Sequence, residues 1–275
     1  MNRISKSLLY WLLLAPLIAL ILFPFALMLS TALKPPDEVL TYPPAWLPSR
    51  LQWRNFVDMW QATRFGTALL NSCYVSLAAS AGAIAVSIPA AYALSRYEFH
   101  GKSLYRQFLL MTQMLSPLVL VLGLFRLAAG LGLLNSVNSL VLIYASFNIA
   151  FAVWMLHSYF ATIPRDLEEA AWLDGASRAR ALRSVFLPLA VPALGVTAIF
   201  TFINSWNEFL LALTLLRSES NYTLPIQIFA LVAGRYTIEW HHVMAATLLA
   251  TLPVAIVFAW LQRYLVKGLA LGAVR

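Results

Sequence analysis

The sequence predicts an all-α membrane protein with six transmembrane helices, and three features of its 275 residues lead there. Only 11% of the residues are charged, against about 25% in an ordinary soluble domain. Six stretches, residues 7–33, 65–95, 107–125, 127–164, 184–207 and 243–262, contain no Asp, Glu, Lys or Arg. Each is close to or beyond the roughly 20 residues a helix needs to cross about 30 Å of hydrocarbon. The runs lack the alternation of barrel strands, and lipid requires each segment to satisfy its own backbone, so they are helices.

Taken in order, the first span covers residues 8–33. Arg3 and Lys6 ahead of an apolar run suit a cleaved leader, but this run exceeds the usual apolar region of about 7–15 residues and lacks a clear small-x-small exit, so it reads as a retained span. A long connection follows, rich in Pro35, Pro36, Pro43, Pro44 and Pro48 and in Trp46, Trp53 and Trp60, as expected of an extended segment at the membrane interface. The second span, residues 67–95, offers Ala78, Ala81, Gly82 and Ala85 as a close-packing surface. Its Cys73 is the only cysteine, so no intrachain disulfide forms. The third and fourth spans cover residues 106–127 and 139–161, and the fifth residues 188–215. A second outer connection, residues 217–242, contains ten apolar residues, 224–233, too few to span and suited to a short or re-entrant helix. The sixth span covers residues 243–264.

Positive charge orients the bundle. Twelve Lys and Arg fall on the side of the N-terminus, the residue 96–106 connection, the residue 164–187 connection and the C-terminus. Seven fall on the other side: Lys34, Arg50, Arg54, Arg64, Arg126, Arg217 and Arg235. The excess places both termini in the cytoplasm and gives the net charge of +8 a topological origin. A nucleic-acid site would need a denser basic cluster than Arg178, Arg180 and Arg183.

The most informative connection is residues 164–187. Pro164 followed by Asp166, Glu168 and Glu169 suits a helix N-terminus. Asp174-Gly175 closes that helix, and Ser177 caps a second one, in which Ala179, Leu182 and Phe186 share a face opposite the arginines. Glu169-Ala170-Ala171, three residues, Gly175, nine residues and then Val185-Phe186-Leu187-Pro188 resembles the EAA signature of ABC-importer permeases, with Val185 where isoleucine is usual. Ser205-Trp206-Asn207-Glu208-Phe209, the residue 221–225 stretch and the ending from Gln262 to Leu269 are similar to the carbohydrate-importer branch, specifically the second permease of the maltose-transporter type.

That resemblance implies a single permease transmembrane domain paired with a sister permease, two ATP-binding cassette ATPase subunits and an extracytoplasmic solute-binding protein in the bacterial inner membrane. ATP and Mg would be bound by the ATPase subunits, with no cofactor held by this chain. The implied activity is import of a sugar or oligosaccharide, or of another solute such as a glycerol phosphate ester. Glu169, Ala170, Ala171, Asp174, Gly175, Leu187 and Pro188 would form the coupling element. Small alanines permit close approach to a groove, and Glu169 meets a charged partner.

Thr197, Thr201, Asn204 and Glu208 fall on one stripe of the fifth span, and Glu208 is the only carboxylate inside a predicted span. Thr201, Asn204, Trp206, Asn207 and Glu208, with Gln113 and Asn71, are candidates for the solute path. The alternative is that the stripe holds helices together, as hydroxyls and amides do in membranes. Because the sister permease supplies the sugar contacts in the maltose type, the resemblance favours this second reading.

Other signals fail. Gly101-Lys102-Ser103 has Arg96 where a phosphate-binding loop needs glycine. Glu239, His241 and His242 lack a further suitably spaced ligand and read as solvated surface, so no metal site is expected. No nucleophile, base and orienting group come together, so the chain is not an enzyme. A secondary transporter would show a paired inverted repeat and more buried charge.

Overall fold

In the computed structural model the backbone is described for residues 3–233 and 236–272, and side chains for residues 11–260 except 234 and 235, and for Gln262. Arg235 and Arg275, counted in the charge asymmetry, lie outside the described residues, as do the side chains of Arg3 and Lys6 and all side chains of the closing stretch 263–269, Arg263 and Lys267 among them. The helices are α1 (Arg3–Ala32), α2 (Arg54–Ala62), α3 (Phe65–Arg96), α4 (Lys102–Met114), α5 (Pro117–Gly130) and α6 (Val137–Phe160). After them come α7 (Asp166–Leu173), α8 (Arg178–Ala181), α9 (Leu187–Trp206), α10 (Leu210–Leu215), α11 (Leu224–Ala230) and α12 (Trp240–Gly272). No strand occurs among the described residues. Five helical stretches, and one bent pair, are long and apolar enough to cross a membrane. The chain forms two compact units, the first comprising residues up to Gly66 with Gln227–Pro253, the second Thr67–Ile226 with the chain from Val254.

In the first unit α1 is apolar on every side, with Trp11, Leu12 and Leu20 all exposed, as lipid-facing residues are. Its end leaves carbonyl groups open, and α2 closes them. Asn55 donates one amide hydrogen to the Ala32 carbonyl and the other to the Lys34 carbonyl, both at 2.8 Å. Gln52 N–H adds a bond to the Leu33 carbonyl at 2.9 Å. Helix α2 corrects the expectation of a wholly extended connection: the prolines stop at Pro48, and beyond them Asn55 and Met59, one turn apart, both turn inward. Trp46 and Trp53 stay exposed, as interfacial tryptophans do. Glu38 closes the loop ahead of α2, where the hydroxyl and backbone N–H of Ser49 hold its carboxyl below the usual range.

In the second unit α3, α6 and α9 pack with α4, α5 and α10 around two apolar clusters. One, towards the Arg96 end of α3, includes Tyr92, Leu109, Leu156, Phe160, Phe186 and Ala190. The other includes Val75, Ala79, Leu140, Tyr144, Leu211 and Leu215. The small residues of α3 do pack, but on a face one position away from the expected one. Ser72, Ser76, Ala79, Ala83 and Ser87 are buried, whereas Ala81 and Ala85 are exposed. Of the expected set Ala78 and Gly82 are half-buried, and a Cβ added at Gly82 would lie 3.7 Å from Ala145 Cβ.

Two expected spans are broken. Residues 106–127 do not form one straight helix, because α4 and α5 meet at 94°. Pro117 lacks the N–H that would continue α4 and holds Ser116 extended, where the serine hydroxyl caps α5 through Leu118 N–H. Residues 188–215 are likewise divided, α9 ending at Trp206 and α10 starting at Leu210. The segment after α10 is anchored by Asn135, a left-handed residue at φ 55°. Its side-chain oxygen accepts from Arg217 and Ser218 N–H, both at 3.0 Å, and its own N–H reaches the Leu215 carbonyl at 2.8 Å.

Replacing Asn55 by alanine removes both side-chain bonds at the end of α1 and is expected to cost about 1–3 kcal/mol. Thermal unfolding of the purified protein in detergent measures this as a lower Tm, whereas Trp53→Ala, at an exposed position, leaves Tm unchanged.

Candidate functional site

Two polar constellations of the second unit hold most of the expected site residues. The first surrounds α7. Its acids Asp166, Glu168 and Glu169 occupy the first turn, where the helix dipole favours negative charge. Its end is a Schellman motif: Ala176 N–H bonds to the Ala171 carbonyl at 2.9 Å and Gly175 N–H to the Trp172 carbonyl at 3.0 Å. Gly175 sits at φ 83° with no atom within 4 Å of a would-be Cβ, so conformation rather than space requires glycine there. Ser177 then caps α8 by accepting Arg180 N–H. A π turn, Leu182–Phe186, leads into α9 and rotates Phe186 into the core. There Phe186 packs edge-on to Tyr92 and Phe160, with ring centroids 5.1 and 4.7 Å away.

The faces of α7 differ sharply. Glu169, Ala170, Asp174 and Gly175 are exposed, Ala171 is half-buried, and the apolar Leu173 is 89% exposed. Leu187 is half-buried and Pro188 exposed where α9 begins. Glu168, adjacent to Glu169, instead turns inward. Its Oε1 accepts Arg96 Nε at 2.8 Å and its Oε2 accepts the Tyr92 hydroxyl at 3.3 Å. Arg96 also donates Nη2 to the Ile163 carbonyl at 2.8 Å and lies 4.8 Å from the Phe186 ring centre. Sequence reasoning passed over both partners, although Arg96 is the charge that ends the second charge-free run.

The second constellation lies at the break between α9 and α10, beside a cleft of about 320 Å³ lined by Tyr144, Asn148, Asn204, Ser205, Asn207 and Glu208 among others. The Glu208 carboxylate accepts Leu211 N–H at 2.8 Å and Ala212 N–H at 3.1 Å, and the Tyr144 hydroxyl. It therefore caps α10, satisfying amides that hydrocarbon would leave bare. Asn148, one turn along α6 from Tyr144, donates to the Tyr144 carbonyl at 2.9 Å and to Ser205 Oγ at 3.1 Å. Asn204 reaches Asn148 Oδ1 at 3.5 Å. Tyr144 and Asn148 were missed, though their i, i+4 spacing in a charge-free span was a visible signal.

The expected stripe separates in the structure. Asn204, Asn207 and Glu208 meet the cleft, but Glu208 lies beyond the end of α9, so it continues no helical row. Thr201 is wholly buried, bonded to the Thr197 carbonyl at 2.9 Å and to Ser80 Oγ at 2.5 Å, which makes it a contact between α9 and α3. Trp206 is buried and stacks on Phe202 at 5.5 Å, so its ring is not offered to a solute. Asn71 donates to the carbonyls of Ser220 and Tyr222, both at 3.0 Å, and so anchors the segment ahead of α11. Gln113 is exposed near the end of α4, outside the cleft lining.

Two rejected signals can also be placed. Lys102 pairs with Glu98 at 2.7 Å, and that hydrogen bond holds the Glu98 carboxyl below its usual range. His241 is buried, contrary to the expectation of solvated surface, because α12 starts at Trp240 and turns it inward. Its ligand atoms and those of Glu239 and His242 lie within 4.8 Å of one another, and His242 Nδ1 is 2.9 Å from Glu239 Oε2.

The described residues form a multi-pass helical membrane protein with broken spans and a short helix exposing its apolar end, and comparison with known proteins identifies it as a transport component. The family model described as binding-protein-dependent transport system inner membrane component matches residues 83–271. The chain is 33% identical over 257 residues to the diacetylchitobiose uptake system permease protein DasC of Streptomyces coelicolor, covering 93% of this chain and 92% of that one. It is 35% identical over 256 residues to the trehalose/maltose transport system permease protein MalG of Thermococcus litoralis, covering 92% and 91%. A solved bacterial ABC transporter that imports alginate shares the fold, with a TM-score of 0.79 at 23% identity over 96% of this chain and 98% of that one. The chain belongs to the binding-protein-dependent transport system inner membrane component family.

Glu208→Gln places an amide donor against the N–H groups of α10. The expected loss of about 1–3 kcal/mol of local stability corresponds to about 5- to 150-fold faster exchange at Leu211 and Ala212. Hydrogen exchange in detergent measures it, and unchanged protection at both amides would contradict the capping role.

Proposed function

We propose that this chain is the membrane-spanning permease subunit of an ATP-driven importer for a sugar or oligosaccharide. It forms half of the solute path beside a sister permease and receives motion from two ATPase subunits that hold ATP and Mg. Both termini and α7 face the cytoplasm, and the segment between α10 and α12 faces the solute-binding protein. The observation that carries this reading is α7 itself. A short helix that leaves Leu173, Ala170 and Glu169 exposed, at an angle set by left-handed Gly175, is a docking element.

The relatives named for diacetylchitobiose and for trehalose/maltose support a saccharide cargo. The cleft supports it too. Its exposed polar groups include the neutral amides of Asn204 and Asn207, while the Glu208 carboxylate is engaged by Tyr144 and two backbone amides. Such a lining suits an uncharged, hydroxyl-rich solute. Closure of the ATPase pair would push on α7, tilt the spans and open the cleft outward, where the binding protein delivers its solute.

The test uses the reconstituted complex in proteoliposomes, with candidate oligosaccharides loaded on the binding protein. One of them should stimulate both ATP hydrolysis and uptake. Gly175→Pro cannot adopt the required positive φ; it should leave membrane insertion intact while abolishing uptake, and unchanged uptake would sink the assignment.

A further inference from the structure

The ion pair between Arg96 and Glu168 is the most deeply buried charge pair among the described residues, with side chains 7% and 3% exposed. Its place in the fold is specific. Arg96 ends α3, a helix that runs into the second unit's core, while Glu168 lies in the first turn of α7. One guanidinium grips α7 at two points five residues apart, the Ile163 carbonyl just before the helix and the Glu168 carboxylate within it. Two anchors define a direction as well as a position. Tyr92, one turn back along α3, holds the second carboxylate oxygen, and Phe186 closes over the guanidinium from the turn that leads into α9. The end of α3, the base of α7 and the entry to α9 therefore meet at one desolvated point.

Stability alone is a poor reason for such a pair, because burying two charges costs about as much as their attraction returns and apolar replacements are often neutral. Orientation is a better one. Arginine's planar fork fixes geometry in a way that lysine's point charge does not.

We propose that Arg96 and Glu168 are positioning residues that lock α7 rigidly to α3 and α9, so that force applied to the exposed face of α7 moves the spans instead of swinging the helix. This deepens the coupling reading above and rests on it. Without the lock, ATP hydrolysis continues while transport falls.

The experiment measures solute imported per ATP hydrolysed by the reconstituted complex, together with the amount of assembled complex. Arg96→Lys keeps the buried charge pair but loses the second anchor. The double variant Arg96→Met with Glu168→Leu removes both charges and fills the volume, which guards against simple misfolding. Both should assemble at wild-type levels, retain ATP hydrolysis and import about tenfold less solute per ATP, the upper range for mutations along a coupling network. Unchanged solute per ATP in both variants, with uptake tracking only the amount of complex, overturns the lock and leaves the permease assignment standing. A wild-type complex that shows no solute-stimulated hydrolysis overturns both.

Discussion

Hydrocarbon offers no hydrogen bonds, so each polar group carried into the membrane must find its partner inside the protein. Nearly every non-helical feature of the second unit answers to this. Where α9 stops, Glu208 supplies the acceptors that the first amides of α10 need. Where α4 stops, Ser116 and Pro117 start α5 with one capped N–H and one that does not exist. Thr197 and Thr201 return their hydroxyls to the carbonyls of the preceding turn of α9. The broken spans are thus stable because side chains replace the missing backbone bonds, and a cleft can open beside one of them without leaving bare amides.

The same constraint makes the few charges that do enter the protein informative. Arg96 and Glu168 are enclosed by Tyr92 and Phe186 and spend their hydrogen bonds on each other, on a hydroxyl and on a carbonyl. On the outward side of the same short helix, Leu173 is left to solvent. An apolar residue kept outside and a charge pair kept inside invert the usual order of burial. That inversion suits an element whose outer face is covered by a partner and whose inner face must not slip. Gly175 sets the angle between the helix and the chain returning to the membrane.

Much of this was legible from the order of residues. Charge-free runs marked the spans, because a charge at membrane depth is expensive in any fold. The Asp174-Gly175 and Ser177 signals marked the helix ends, because capping is chemistry between near neighbours. What escaped depended on distant residues or on averaging. The apolar run across Leu115, Ser116 and Pro117 reads as one span when only charge is counted, although the Ser-Pro pair signals a new helix start. The inward turn of Glu168 is set by Arg96, 72 positions away, and adjacent Glu169 gives no hint of it. Thr201, on the stripe, and Trp206, beside it, looked available for a solute because local sequence does not reveal which neighbour covers a side chain; Ser80 and Phe202 do.

The central proposal is that α7 is the face through which an ATPase partner drives this chain, and that the segment around Tyr236 meets the binding protein. A photo-crosslinking residue placed at Leu173, and separately at Tyr236, in the intact complex tests it most directly, since both positions are fully available at the surface. The account requires the adduct from position 173 to contain an ATPase subunit and the adduct from position 236 to contain the solute-binding protein. An adduct between position 173 and the binding protein, or no ATPase adduct from position 173 in a complex that hydrolyses ATP, would contradict it.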